Sequence, residues 1–381
     1  METEIQQSTP QPTPIASKAP KRIEWIDAMR GFTMIMVVAF HVAQTGFGEN
    51  LRTSSSLPFL VLFRMPLFFF ISGFLAYKAS AVWSFDNFLR MTGKKIRIQI
   101  IPTIVFFFVA MILLHPGSVG KYIELNLHSP NKGGYWFTLV LLYMFIVYYI
   151  FTFIEHRFRR QSLWPILLLW IISIAVYETI YMPHTFWYAF GNKAPKHGFI
   201  FDSSIFYLMM YFQFFIYGNI VHRCWDKFEK LCDRNGFCLL VIILAFVSSI
   251  DFLKLHWLQS EWVNLSRTVA MYSLLTLVFI FFRYYRDSFS STHRLGRMLQ
   301  YIGKRTLDIY LIHIFMLPNL PQIGKFFNAN RHNFVMDTTA SILVAMIVIA
   351  FCLVISNMLR ISPFLKKYLF GRETNVAQHN S

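Results

Sequence analysis

Charge is scarce in this chain. Only 14% of its 381 residues are Asp, Glu, Lys or Arg, and 55% are hydrophobic. A water-soluble domain carries about 25% charged residues, so a soluble globular fold is excluded. Cysteine is also sparse, with 4 in all. Cys224 and Cys232 fall in a loop between apolar runs, and Cys238 and Cys352 fall near run ends on the same side. No structural disulfide is expected from that placement, and the spacing matches no metal site. No internal repeat is visible, which disfavours the inverted-repeat transporter architectures. The opening "METEIQQSTPQPTPIASKAPK" has no apolar core, so it reads as a disordered tail and not as a signal peptide.

Long apolar runs take the place of charge. They lie near 25–45, 59–78, 98–115, 135–154, 163–181, 204–221, 237–253, 265–283, 305–323 and 337–359. Each is long enough to cross a hydrocarbon core of about 30 Å. The expected fold is an all-α polytopic membrane helix bundle of about ten transmembrane helices. Most of the 36 Lys and Arg residues fall in alternate loops, such as "RMTGKKIR", "EHRFRR" and "RYYRDSFSSTHRLGR". By the positive-inside rule those loops are cytoplasmic, which puts both termini in the cytoplasm of a cell-membrane protein. Residues 1–22 are then a cytoplasmic tail, 23–362 the transmembrane domain and 363–381 a second cytoplasmic tail. The net charge of +17 follows from this loop bias and from contact with anionic lipid. No basic-aromatic module points to nucleic acid. The ninth run is interrupted by Pro318 and Pro321. The backbone groups that proline frees need partners inside the protein, so this run is expected to face a cavity.

Several ionisable residues interrupt the apolar runs. An arginine at the centre of a bilayer helix costs roughly 2.5–3.5 kcal/mol even on insertion scales. The stretch "RIEWIDAMRGFTMIMVVAFHVAQTGF" nevertheless carries Asp27, Arg30 and His41. Arg30 and His41 are eleven positions apart, about three helical turns plus about 20°, so both point the same way about 16.5 Å apart along the axis. Asp27, three residues before Arg30, can pair with it. Arg64 in the second run lies near the depth of His41, where it can line a site or snorkel to the surface. Ser72 and Gly73 follow, small enough for close helix approach. Glu178, Asp251, Arg267, Asp308 and His313 complete the polar set. Lys94, Lys95 and Arg97 cluster at the start of the third run, placed to grip phosphates.

Four segments carry a family resemblance. "IDAMRG" with "RGFTMIMVVAFH" (Arg-x10-His), then "MPLFFFISGFL", "KKIRIQIIP" and "IGKRTLDIYLIH", stand in the order found in the acyltransferase family 3 membrane proteins. Within that family the chain is most similar to the short, stand-alone, fucose 4-O-acetylase-like sugar O-acetyltransferases. The resemblance implies an enzyme that takes acetyl from cytosolic acetyl-CoA, with no permanently bound cofactor, and delivers it to a hydroxyl of a cell-surface or lipid-linked sugar or polysaccharide. Two positions depart from the pattern: Arg64 stands where close relatives often have His, and Lys94…Arg97 stand in place of a paired-arginine motif.

Acyl transfer to a hydroxyl needs a base, charge stabilisation and exclusion of water. Neutral imidazole suits the first role near neutral pH, which assigns it to His41 either by direct transfer or through an acyl-histidine. Arg30 is expected to contact the donor, Arg64 the oxyanion or the acceptor, and His313 to handle protons. Lys94, Lys95 and Arg97 would hold CoA phosphates. Trp136 and Glu178 are the candidate acceptor-binding residues, Trp136 by stacking on a sugar ring or else as an interfacial aromatic. The alternative function is a transporter or flippase for a polar solute or lipid-linked sugar, which a charged midplane cavity would suit equally well.

Overall fold

Each apolar run folds as helix, the ninth with a break, and no strand occurs among the described residues. The computed structural model of the protein describes residues 23–51, 54–79, 81, 83–158, 162–181, 198–255, 265–329 and 334–370. The tail 1–22 and the chain beyond 370 lie outside them. We number the helices α1 (Glu24–His41, prolonged by a π-turn to Gly46), α2 (Leu57–Ala76), α3 (Phe85–Leu114), α4 (Val119–Leu127), α5 (Trp136–Arg157), α6 (Leu163–Thr179), α7 (Ile205–Arg223), α8 (Trp225–Cys232), α9 (Asn235–Leu253), α10 (Leu265–Tyr284), α11 (Arg294–Lys304), α12 (Thr306–Met316), α13 (Pro321–Ala329), α14 (Phe334–Leu359) and α15 (Pro363–Phe370). Eight of these are long and apolar enough to span a bilayer, and α6 and α12 are shorter apolar helices in the two remaining expected positions.

Burial sorts the helices into a centre and a rim. α1 is enclosed on nearly every side, whereas α9 and α14 are mostly bare. The bare faces are apolar, with Leu239, Ile243 and Phe246 on α9 and Leu343, Ile347, Phe351 and Val354 on α14. Such stripes suit lipid chains. Because α1 sits at the centre, its polar residues meet protein and not lipid.

α2 packs along α7 at very short range. A Cβ on Gly73 would run into the carbonyl oxygen of Phe215, and one on Gly218 into that of Phe70. With no apolar driving force between helices in lipid, this close backbone approach supplies the packing.

Two features go beyond what the sequence leads one to expect. The stretch before the ninth run contains an amphipathic helix, α11, which lays Leu299, Ile302 and Gly303 against α1. Part of the expected C-terminal tail is helical as α15. The break in the ninth run falls where the prolines predict: α12 stops at Met316, and Pro321 opens α13. One backbone group in the break is satisfied locally, since the Leu320 N–H donates to the Gly46 carbonyl at 2.7 Å.

Candidate active site

The first helix turns one face toward a cavity. Arg30, Met34, Val37, His41 and Gln44 line it, at the spacing of a single helical stripe. Its volume is about 620 Å³, within the range of small-molecule sites. α2 adds Arg64, Phe68, Ile71, Ser72 and Leu75, again at helical spacing, and α3 adds Met91, Lys95 and Gln99. Both α1 and α3 contain a π-turn next to these residues, at Val42–Gly46 and Ile96–Ile100. π-Turns are frequent at functional sites.

The cavity gathers its charged side chains at two ends, with Met34, Val37, Phe68 and Ile71 among the residues between them. At one end, here called the basic end, stand Arg30, Lys78 and Lys95. Arg30 lies 3.6 Å from an Asp27 carboxylate oxygen and donates to the Thr306 hydroxyl at 3.1 Å. The Lys95 ammonium sits 3.6 Å above the centre of the Phe145 ring, a cation–π contact. At the opposite, aromatic end stand His41, Arg64, Trp136, Tyr207 and Tyr211. The Trp136 and Tyr207 rings are 4.2 Å apart between centroids, and Tyr211 stacks on Trp136 at 5.7 Å. The Arg64 guanidinium carbon lies 3.5 Å from the centre of the Phe40 ring. Arg64 therefore turns inward and does not snorkel.

His313 is buried directly behind His41, with ring centroids 5.1 Å apart. Its Nδ1 lies 2.8 Å from the Tyr310 carbonyl oxygen and 3.1 Å from that of Ile309. A carbonyl can only accept, so Nδ1 carries the hydrogen and Nε2 is left with a lone pair. That Nε2 is buried and has no hydrogen-bond partner among the described residues.

The expected residues therefore divide. Arg30, His41, Arg64, Lys95 and Trp136 meet at one cavity, and His313 backs onto it. Lys94 and Arg97 do not line it. The wall repeats as Met91, Lys95 and Gln99, and neighbours one or two positions from Lys95 are turned away by roughly 100–200°. Glu178 does not line it either: one of its oxygens accepts a hydrogen bond from the Thr268 hydroxyl. Asp308 anchors α12, accepting from Arg360 at 2.6 Å and from the Ser356 hydroxyl at 2.6 Å.

Sequence reasoning missed Lys78, Tyr207, Tyr211 and Tyr310. Tyr207 and Tyr211 are four apart and share a helix face, yet that spacing equally fits lipid-interface aromatics. Tyr310 precedes His313 by one helical turn, and its hydroxyl donates to the Gly134 carbonyl at 3.1 Å. All four cysteines are free. No group of three metal-binding side chains forms among the described residues.

Comparison with known proteins gives the family of the chain. A family model described as an acyltransferase domain, that of acyltransferase family 3, matches residues 23–357. The chain is 22% identical over 330 residues to a Bacillus subtilis (strain 168) protein provisionally named membrane-bound acyltransferase YfiQ, covering 79% of this chain and 85% of that one. No solved structure matches.

Proposed function

Since the chain belongs to the acyltransferase family 3 membrane proteins, we propose that it is an O-acetyltransferase that moves acetyl from cytosolic acetyl-CoA to a sugar hydroxyl of a cell-surface or lipid-linked glycan. The observation that carries this reading is the two-ended cavity. Cations that suit phosphates stand at one end, a histidine with an aromatic wall stands at the other, and one helix face joins them. The bias of basic loops supports a cytoplasmic location for the basic end and for both termini.

In this reading Arg30, Lys78 and Lys95 hold the phosphates and pantetheine of the donor. The acetyl thioester then lies between Phe68 and His41, about 16 Å along α1 from Arg30. The acceptor sugar stacks on Trp136 and Tyr207. His41, with the His313 ring packed behind it, turns a ring nitrogen, acting as a base, into the cavity. That nitrogen takes the proton of the sugar hydroxyl as the oxygen attacks the thioester carbonyl. Collapse of the tetrahedral intermediate forms the ester, breaks the C–S bond and releases CoA thiolate. The thiolate recovers the proton from His41. Apolar side chains along the middle of the passage keep water from the thioester.

The test is direct: membranes carrying the chain are supplied with labelled acetyl-CoA and the cells' own glycans. Label entering glycan, and lost in His41→Ala protein of normal abundance, is the expected result. Solute movement without any acyl-CoA requirement would instead identify a transporter.

A further inference from the structure

The arginines that form ion pairs in this bundle do so with carboxylates the fold provides. Arg30 has Asp27, and Arg223 has Glu155 at 2.8 and 3.0 Å. Arg283 has Glu229 and Asp233, and Arg305 and Arg360 share Asp308. Arg64 differs. It makes no hydrogen bond or ion pair among the described residues, and its Nε is buried with no partner. No Asp or Glu among the described residues lines the cavity it faces. The polar groups around it are the phenols of Tyr211 and Tyr207 and the imidazole of His41, none of them a carboxylate.

A guanidinium cannot shed its proton to escape burial, and an intramembrane charge without a counter-ion is costly. The Phe40 ring occupies one face of the guanidinium, while hydrogen bonds leave from its edges as a fork that matches an oxyanion. The donor's phosphates do not fill this role. They belong with the cations at the basic end, about 16 Å away along α1, and the pantetheine arm separates them from the thioester.

We infer that the acceptor brings its own negative charge, a carboxylate or a phosphate on the sugar unit that is acetylated, and that Arg64 binds it. The inference rests on the transferase reading and narrows its acceptor to acidic glycans. Trp136 and Tyr207 take the ring face, Arg64 takes the anion, and His41 is left facing a hydroxyl of the same unit.

The test uses full-length protein in membranes with labelled acetyl-CoA. Methyl glucuronoside, glucose 1-phosphate and neutral methyl glucoside are offered in turn, and the acetylated units of the cells' own surface glycan are identified by mass. We expect an acidic unit in the native product and an anionic probe preferred at least tenfold in kcat/KM over methyl glucoside. The carboxylate and phosphate arms tell the two anions apart. Arg64→Gln should raise KM for the preferred probe at least tenfold and erase the preference, and Arg64→Lys should restore part of it. A neutral acetylated unit in the native product overturns the inference while leaving acetyl transfer intact. So does an Arg64→Gln enzyme whose kcat falls equally on charged and neutral probes, the signature of an oxyanion role. If nothing at all is acetylated, the transferase reading itself fails.

Discussion

His313 lies behind His41 with ring centroids 5.1 Å apart, and the Tyr310 and Ile309 carbonyls hold its Nδ1. This relationship makes the two imidazoles unequal. One opens onto the cavity, and the other is locked behind it.

Removing His41 should cost about 10²–10⁴-fold in kcat, the usual worth of a positioned base. His313→Ala should cost about tenfold, because the base remains but loses the ring packed behind it that holds its direction. Rates from labelled acetyl-CoA at saturating donor check both. Equal losses in the two variants would mean that His313 takes part directly in the proton transfer.

The cavity wall separates neighbouring lysines. Lys95→Ala should raise KM for acetyl-CoA about tenfold, the worth of one charge-assisted contact of about 1.4 kcal/mol. Lys94→Ala and Arg97→Ala should change it less than about threefold, because neither side chain lines the passage. Three similar values would mean that the donor reaches beyond this cavity.

Helix approach at Gly73 and Gly218 leaves no room for a side chain. Gly73→Val or Gly218→Val should destabilise the bundle by at least about 1–3 kcal/mol, the usual cost of overpacking. The melting temperature of purified protein in detergent is the measurement. A variant that melts with the wild type would contradict the close crossing of α2 and α7.

Glu49 lies outside the spans, buried in the connection from α1 to α2 beside Ser54 and Asp337. Burial first, and then the Asp337 charge, raise its pKa to about 7, against the opposing effect of a hydrogen bond from Ser54. A carboxyl raised in the fold binds its proton more tightly there than in the unfolded chain. Its contribution is therefore most favourable below the unfolded value of about 4.3 and is lost as pH climbs to about 7. Wild-type protein should melt lower at pH 8 than at pH 5 by a margin that Glu49→Gln reduces. An identical pH response in the two proteins would show that this carboxyl does not titrate in that window.

The sequence alone determined the elements and one face. Apolar runs of bilayer length have few ways to fold other than as helices, and ten segments appear where the runs lie. The alignment of Arg30 with His41 is a local property, set by 3.6 residues per turn, so residue spacing suffices to show it. The helix break at Pro318 and Pro321 is legible for the same kind of reason, since proline acts on its own backbone. Contacts between segments distant in sequence were decided only in three dimensions. Which of Lys94, Lys95 and Arg97 looks inward depends on how α3 rotates against α5, and charge counting is blind to that rotation. The pairing of Glu178 with Thr268, the aromatic wall of Trp136 with Tyr207, and the seat of His313 behind His41 join residues from about 70 to 270 positions apart. Arg64 shows the division most clearly. Sequence placed a cation in the second run, but only packing revealed that the fold supplies no described carboxylate to meet it.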